Sequence, residues 1–263
     1  MTDYKGAVFF DLDNTLLSPE KRIFEDNIEA ISQLINNNYL PAFCTGKQKF
    51  QLTDLATSAG IDTYICGNGS EVYYRGALVK SLTFTQQQLE HIENRASQDD
   101  TTLIWLNANR ISATKISNGV KQLCQEMRWP VPPIQQHATF LENINMILTF
   151  IDNSDSGIKH ELSYRKDFPD FNFMRNSPIV LDTVVQNASK ANGIHTLLQH
   201  LNLPDLPTFA FGDGNNDISM LKSVNTGIAM GNASDQAAAA ADYQTDDYLH
   251  GGIPKALKHF GLI

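Results

Sequence analysis

Apolar, strand-like segments alternate with helix-like segments over the first third of the chain, and this alternation constrains the fold more than any other feature. Residues 7–10 form a short apolar run, Glu25–Asn36 carries isoleucine and leucine at helical spacing, and Tyr39–Cys44 forms a second apolar run. A helix over 49–58 and a strand over 63–65 are predicted next. Strand–helix–strand units of this length indicate a parallel sheet with helices on its faces.

The same alternation returns near the end of the chain, with helices predicted over 190–201, 217–224 and 233–240 and strands over 208–211 and 227–230. The middle of the chain has a different pattern. There, a predicted helix over 85–95 precedes closely spaced strand candidates at 101–105, 110–114, 143–151, 171–173 and 179–185. Closely spaced strands with few helices are typical of an antiparallel sheet.

These patterns predict an α/β fold with an insertion. We expect residues 1–80 and 186–263 to form a Rossmann-like core with a parallel sheet. We expect residues 81–185 to form an inserted α+β domain. A chain of 263 residues is long enough for two hydrophobic cores.

Two of the predicted strands lead directly into acidic residues. Asp11 and Asp13 follow the strand at 7–10, and Asp213 and Asp217 follow the strand at 208–211. The carboxyl ends of parallel strands lie at one edge of a sheet, where such folds bind ligands. Burying like charges together is costly unless a positive group lies between them, and Mg²⁺ prefers oxygen ligands of this kind. These acids therefore predict a divalent metal site, with Mg²⁺ as the expected ion.

The segment around Asp213 has other possible interpretations. A dinucleotide-binding fingerprint needs glycine where Asp217 stands, and a calcium-binding loop starting at Asp213 needs glycine and glutamate where Ile218 and Val224 stand. Both interpretations therefore fail. Helix capping remains open for Asp217, because aspartate is common at strand-to-helix junctions. Capping accounts less well for two acidic clusters on one sheet edge.

Two weaker signals lie between the acidic clusters. Thr45 and Gly46 end a predicted strand and offer a hydroxyl and an open backbone to phosphate oxygens, although such a pair is also a frequent turn. Lys190 begins a predicted helix, where the helix dipole disfavours a positive charge. It is either a solvated surface lysine or a residue that meets a bound anion.

The order and spacing of these segments resemble the four motifs of the haloacid dehalogenase superfamily. The matching segments are DLDNT at 11–15, Thr45–Gly46, Lys190, and GDGNND at 212–217. The segments ICGNGS at 65–70 and GIAMGNA at 227–233 and the long insertion resemble the Cof-type phosphatases, bacterial hydrolases with a cap of type IIB. The chain departs from the family pattern at Asn14, where glycine is usual, at Lys47, where arginine is frequent, and at Ala191, where glycine is common.

The resemblance implies phosphoryl transfer through an aspartyl-phosphate. Asp11 would be the nucleophile, and Asp13 would be the general acid toward the leaving alcohol and then the base for water. Mg²⁺ would be held by the Asp11 carboxylate, the Asp13 backbone carbonyl and Asp213, with Asp217 in support. Residues 81–185 would be the cap domain.

The remaining site residues follow from the same resemblance. Thr45, Gly46 and Lys190 would bind the phosphoryl oxygens of the substrate. Asn216 would orient Lys190 or the shell around the metal. Sugar phosphates, nucleotides and pyridoxal phosphate are all allowed as substrates, and five insert residues are candidates for contacting them: Trp105, Arg110, His137, Tyr164 and Arg175. Trp105 is also interpretable as core, and His137 as a surface loop residue.

The activity expected from the resemblance is that of a metal-dependent phosphatase of small phosphorylated metabolites. A phosphomutase is an alternative, since an aspartyl-phosphate can return its phosphoryl group to a sugar. A non-catalytic protein that binds phosphorylated metabolites is a second alternative, although every expected catalytic group is present.

Composition and charge exclude several other partners. The formal net charge is −9, with 20 basic and 29 acidic residues, which disfavours nucleic acid binding. The apolar runs are too short to span a bilayer, and the N-terminus lacks the pattern of a signal peptide. Three widely spaced cysteines predict reduced thiols rather than a zinc site, and therefore a cytoplasmic protein.

Overall fold

The computed structural model of the chain describes residues 4–138, 141–175 and 177–263. The chain divides into two compact units, of which the first combines Met1–Ser81 with Ser189–Ile263 and the second is Leu82–Ala188. Each unit contains its own β-sheet. Among the described residues, no helix has the length and apolar character needed to cross a membrane.

Among its described residues, the first segment of the first unit contains five strands and two α-helices. They are β1 (Gly6–Phe10), α1 (Glu25–Asn36), β2 (Tyr39–Cys44), α2 (Thr53–Ala59), β3 (Tyr64–Cys66), β4 (Glu71–Tyr74) and β5 (Ala77–Ser81). The predicted bounds of α1 and β2 are those observed. The helix predicted from residue 49 begins only at Thr53, because a 3₁₀ turn over Lys49–Gln51 precedes it.

The described residues of the second unit form three α-helices and a five-stranded sheet. They are α3 (Gln86–Gln98), β6 (Leu103–Leu106), β7 (Ile111–Ala113), α4 (Asn118–Met127), β8 (Met146–Thr149), α5 (Asp155–Asp167), β9 (Phe171–Arg175) and β10 (Leu181–Val185). The strand order is β7-β6-β8-β10-β9, and all neighbouring strands are antiparallel. The predicted α+β insertion with an antiparallel sheet is confirmed.

The chain then returns to the first unit. The elements are α6 (Lys190–His200), β11 (Thr208–Gly212), α7 (Ile218–Ser223), β12 (Thr226–Ala229), α8 (Asp235–Ala238), β13 (Tyr243–Gln244) and α9 (Gly252–His259). The sheet of this unit has the order β13-β12-β11-β1-β2-β3-β4-β5. Its strands are parallel from β13 to β3, and β4 and β5 are antiparallel additions at one edge. The predicted parallel-sheet core is confirmed.

The central strand β1 is buried on both faces. Val8 and Phe10 pack into a cluster that includes Leu34 of α1, whereas Phe9 packs on the opposite face with Leu197 of α6. Helices cover both faces of the sheet, so β1 reads as a continuous apolar run rather than an alternating one. Each fully buried phenylalanine contributes about 1.5–3 kcal/mol to folding. This packing fixes the position at which β1 ends.

Four of the five candidate substrate-contact residues in the second unit already have structural roles. Trp105 and Tyr164 are buried in its core, with exposed fractions of 1% and 0%. His137 contacts Glu93 and Arg175 contacts Glu161, each at 2.6 Å. The fifth, Arg110, is exposed.

Candidate active site

The two acidic clusters lie side by side at one edge of the parallel sheet. β1 and β11 are neighbouring parallel strands, with Phe10 opposite Phe211, and the backbone N–H of Asp11 donates to the Phe211 carbonyl at 2.9 Å. Asp11 therefore follows the end of β1 at the same edge of the sheet at which Asp213 follows the end of β11. The parallel register brings the two acidic segments together.

Three carboxylates form a compact group of oxygen donors at this edge. One oxygen from each of Asp11, Asp213 and Asp217 lies within 4.8 Å of the other two. Asp11 and Asp217 are buried, and Asp213 is partly exposed. Clustered carboxylate oxygens with one open side are the donor set that a hard divalent cation such as Mg²⁺ accepts. The residues therefore fit the predicted metal.

The ammonium of Lys190 joins two of these carboxylates. Its Nζ lies 2.5 Å from Asp11 Oδ1 and 2.5 Å from Asp217 Oδ1, and the residue is 1% exposed. The interpretation of Lys190 as a solvated surface residue is wrong. Its charge is disfavoured at the start of α6, but two carboxylates compensate it.

The pKa values in this group reflect an excess of negative charge. Burial raises the pKa of Asp11 well above its usual value, and Asp217 raises it further, while Lys190 opposes the shift. Burial and the neighbouring Asp217 raise the pKa of Asp213 to about 7. Burial would lower the pKa of Lys190, but Asp11 and Asp217 outweigh burial and raise it. A bound cation would relieve the remaining repulsion.

Asp217 organises the loop after β11 rather than the helix that follows it. Its Oδ2 accepts hydrogen bonds from the backbone N–H groups of Asp213 and Gly214, at 3.0 and 2.9 Å. Asp217 occupies the N-cap position of α7 but makes no side-chain hydrogen bond to that helix. Its contact with the Gly214 N–H caps the 3₁₀ turn Asn215–Asp217 instead, so the helix-cap interpretation holds for that turn and not for α7. A Cβ at position 212 would lie 2.6 Å from the Cβ of Asp217, so Gly212 is required for this close approach.

Asp13 lies outside the three-carboxylate group and is held by two lysines. Lys21 Nζ contacts its Oδ1 and Lys47 Nζ its Oδ2, each at 2.6 Å. Burial alone would raise the pKa of Asp13, but the two ammonium groups outweigh it and hold the pKa below its usual value. At position 47, where arginine is frequent in the family, Lys47 thus keeps a positive charge. Lys21 carries no motif signal, and sequence reasoning missed it.

The Thr45–Gly46 turn is tied to the loop that follows β3. The Asn68 backbone N–H donates to the Thr45 carbonyl at 3.0 Å, and a Cβ on Gly46 would meet the Asn68 amide at 3.3 Å. Asn216 Nδ2 donates to Asn68 Oδ1 at 3.1 Å. Asn216 is thus connected to the Thr45 turn through Asn68, which is buried. Asn68 belongs to the segment ICGNGS at 65–70, but sequence reasoning assigned no role to it.

Backbone conformation explains two further details of the site. Asn14 has a φ of 60°, in the left-handed region that glycine enters freely and asparagine tolerates, so its departure from the family pattern is conservative. Gly69 has a φ of 95°, and a Cβ there would lie 1.9 Å from the carbonyl oxygen of Ser189. Because Lys190 follows Ser189, this contact places the start of α6 against the loop after β3.

Thr15 forms a hydrogen bond with Asp213, the partly exposed carboxylate of the three. Its Oγ1 donates to Asp213 Oδ1 at 3.0 Å, although 198 positions separate the two residues in sequence. Thr15 is fully buried. A hydroxyl in this position fixes one oxygen of Asp213 and leaves the other for a ligand.

Comparison with known proteins agrees with this geometry. The model of the haloacid dehalogenase-like hydrolases matches residues 8–257. A curated relative, the 5-amino-6-(5-phospho-D-ribitylamino)uracil phosphatase YcsE of Bacillus subtilis, is 26% identical over 261 residues, which cover 97% of this chain and 95% of the relative.

Solved structures of phosphatases are similar over nearly the whole chain. The subclass IIB sugar phosphatase BT4131 is 28% identical, with a TM-score of 0.88 and coverage of 98% of this chain and 100% of the other. The phosphatase BT1666 from Bacteroides thetaiotaomicron is 26% identical, with a TM-score of 0.89 and coverage of 98% and 96%.

Proposed function

Because the chain belongs to the haloacid dehalogenase-like hydrolase family and is a phosphatase of the Cof type, we propose that it hydrolyses small phosphate monoesters with Mg²⁺ through an aspartyl-phosphate on Asp11. One observation carries the proposal. The carboxylates of Asp11, Asp213 and Asp217 converge within 4.8 Å, and Lys190 contacts two of them. This arrangement suits the binding of a cation and a phosphate next to a carboxylate nucleophile.

In the first step, a carboxylate oxygen of Asp11 attacks phosphorus, the bond from phosphorus to the alcohol oxygen breaks, and Asp13 gives its proton to the departing alkoxide. In the second step, Asp13 takes a proton from water, whose oxygen attacks phosphorus. The Asp11–phosphorus bond then breaks and releases phosphate. Burial raises the pKa of Asp11, which a bound cation would lower, so the metal would keep this nucleophile ionised. Against the effect of burial, Lys47 and Lys21 hold the pKa of Asp13 below its usual value, which favours the ionised form that takes a proton from water in the second step.

The phosphoryl group needs positive charge and hydrogen-bond donors around its oxygens. We assign this role to Lys190, to the Thr45 hydroxyl and to the backbone of Gly46, with Asn216 as a further polar contact. Lys190 is held at 2.5 Å from the nucleophile in the resting protein, so its ammonium needs little movement to meet a phosphate. Positioning and charge neutralisation carry most of the rate acceleration in phosphoryl transfer.

The proposed ligands of Mg²⁺ are the carboxylates of Asp11 and Asp213 and the backbone carbonyl of Asp13, with Asp217 in support. When bound, Mg²⁺ screens the repulsion between the Asp11 carboxylate and the phosphate dianion. The hydrogen bond from Thr15 to Asp213 Oδ1 would keep that carboxylate oriented for the ion.

We assign catalysis to the unit made of Met1–Ser81 and Ser189–Ile263, and selection of the leaving group to Leu82–Ala188 acting as a cap. Two of the three phosphatases compared above are named for a phosphoribitylamino-uracil and for sugars, which supports a small phosphorylated metabolite as substrate. All three cysteines are buried free thiols, which supports a reducing compartment such as the cytoplasm.

A panel of sugar phosphates, nucleotides and pyridoxal phosphate tests the proposal. Free phosphate should be released with Mg²⁺, release should stop with EDTA, and added Mg²⁺ should restore it. Transfer of phosphate to a second position of the sugar without release would identify a phosphomutase. Binding without turnover would identify a non-catalytic protein.

A further inference from the structure

Lys21 lies outside every motif that points to phosphatase chemistry, yet its ammonium reaches one of the groups proposed to act in the reaction. Nζ of Lys21 lies 2.6 Å from Asp13 Oδ1, and Nζ of Lys47 lies 2.6 Å from Asp13 Oδ2. Each oxygen of the carboxyl group thus has its own cationic partner. Two such contacts fix both the position and the plane of the group.

The backbone around Lys21 forms a tight turn. The Ser18 N–H donates to the Arg22 carbonyl at 2.8 Å, and the Lys21 N–H donates to the Ser18 carbonyl at 2.9 Å. Ser18 Oγ accepts from the N–H groups of Glu20 and Arg22 at 3.2 and 3.4 Å. Lys21 itself has a φ of 62°, in the left-handed region that a side chain rarely adopts.

The two ends of the turn are also held together by a β-bridge. Leu17 and Ile23 pair across it in an antiparallel bridge, and both side chains are buried. A left-handed lysine in such a turn costs about 1 kcal/mol or more, a cost that glycine or asparagine would avoid. The turn therefore holds the Lys21 backbone in a fixed conformation close to Asp13, although the side chain remains partly exposed.

We propose that Lys21 is a positioning residue, which holds the carboxyl group of Asp13 in the orientation needed to protonate the leaving alcohol. This inference rests on the proposed function, in which Asp13 is the general acid. Lys47, which is only 9% exposed, holds the second oxygen from the side of the protein core. Against the effect of burial, Lys21 also lowers the pKa of Asp13, so its loss makes this acid easier to protonate, and any loss of proton transfer must come from orientation. Without Lys21, the Asp13 side chain can rotate about its remaining contact with Lys47 and away from the leaving oxygen, while the nucleophile and phosphate site stay intact.

The dependence of rate on the leaving group separates this role from a structural one. An alkoxide leaving group needs a proton, whereas p-nitrophenolate is a stable anion that leaves without one. The constant kcat/KM covers the steps up to alcohol release, so it reports protonation of the leaving group and not the later hydrolysis. We therefore compare kcat/KM for β-glycerol phosphate and p-nitrophenyl phosphate.

Lys21→Met should lower kcat/KM for β-glycerol phosphate about tenfold and for p-nitrophenyl phosphate less than about twofold, a fraction of the effect of losing the whole general acid. Lys21→Arg, which keeps the charge, should restore most of the activity. Lys255→Met is the matched control, since Lys255 forms a 2.7 Å ion pair with Asp246 in the same unit, and neither residue belongs to the proposed site. It should change neither constant.

The Asp13→Asn variant shows whether a negative result contradicts the role of Lys21 alone or the proposed function as well. If Asp13→Asn lowers the two constants equally, Asp13 is not the general acid and both proposals are wrong. If Asp13→Asn affects mainly the alkyl substrate but Lys21→Met lowers both constants equally or neither, only the role of Lys21 is wrong. Lys21→Gly removes the same ammonium and relaxes the left-handed backbone, so it decides the question if Lys21→Met does not fold.

Discussion

Nζ of Lys190 lies 2.5 Å from Oδ1 of Asp11, although 179 positions separate the two residues in the sequence. Both groups are buried, and the same ammonium contacts Asp217. An ammonium between two buried carboxylates organises the site before any ligand binds. This contact therefore contributes to the stability of the protein as well as to its proposed chemistry.

Replacing Lys190 by methionine should destabilise the protein by about 3–5 kcal/mol, because Asp11 and Asp217 would remain buried without a cationic partner. Urea unfolding at pH 8 measures this change. The loss should be smaller at pH 5, because burial and the neighbouring Asp217 raise the pKa of Asp11, which can then bind a proton. Unchanged stability at both pH values would show that the buried contact has no energetic importance.

Replacing Thr15 by valine should weaken Mg²⁺ binding by about 10- to 100-fold, because the hydrogen bond that orients Asp213 is lost while the shape of the side chain is kept. Isothermal titration with Mg²⁺ measures the affinity directly. Thr57→Val is the matched control, since Thr57 is exposed and its hydroxyl donates to the Thr53 carbonyl within α2. Equal affinities for the two variants would contradict the role of Thr15.

The stability of the metal-free protein should fall as the pH rises from about 4 to 8. The pKa of Asp213 is raised to about 7 in the folded protein, against about 3.9 in an unfolded chain. In this window the folded state binds more protons than the unfolded state, so the stabilisation present at low pH is lost as the pH passes through 7.

Urea unfolding in EDTA at several pH values measures this dependence. Asp213→Asn should reduce the fall in stability, and the difference between the two proteins cancels the contribution of histidines elsewhere. Mg²⁺ should stabilise the wild-type protein more at pH 8 than at pH 5. An identical pH dependence in wild type and Asp213→Asn would contradict the assignment.

Gly69→Ala should impair the site far more than Gly76→Ala. Both glycines have positive φ, of 95° and 75°, so both substitutions strain the backbone. A Cβ at 76 meets nothing within 4 Å, whereas a Cβ at 69 overlaps the Ser189 carbonyl and would displace the start of α6 with Lys190. We expect a loss of about 1 kcal/mol for Gly76→Ala with unchanged activity. For Gly69→Ala, thermal unfolding and phosphatase assays should show a larger loss of stability and a loss of activity.

The sequence predicted elements whose apolar residues follow a clear period, and it missed β5, α5 and α4. β1, α1 and β2 were predicted because apolar residues define their periods clearly. β5 was missed because its residues are mostly exposed, and α5 because it buries only Gly157 and Tyr164. α4 carried a usable signal, since its buried Val120, Leu123 and Cys124 lie at helical spacing.

For the site, the sequence predicted which residue types matter but not how they contact each other. The carboxylates stood out because acids directly after apolar strands are costly without a ligand. Capping preferences anticipated a contact between Asp217 and nearby backbone N–H groups, but they did not show that its other oxygen accepts from Lys190. Lys21 carries no pattern at all, because its importance comes from a turn that points it at Asp13.

The central claim is that Asp11 carries the phosphoryl group during turnover. Rapid acid quenching during turnover of p-nitrophenyl phosphate with Mg²⁺, followed by mass spectrometry of proteolytic fragments, measures this directly. We predict one phosphoryl group on the fragment that contains Asp11, and neither label nor turnover in Asp11→Asn. Turnover by Asp11→Asn, or a phosphoryl group found on a different residue, would contradict the account.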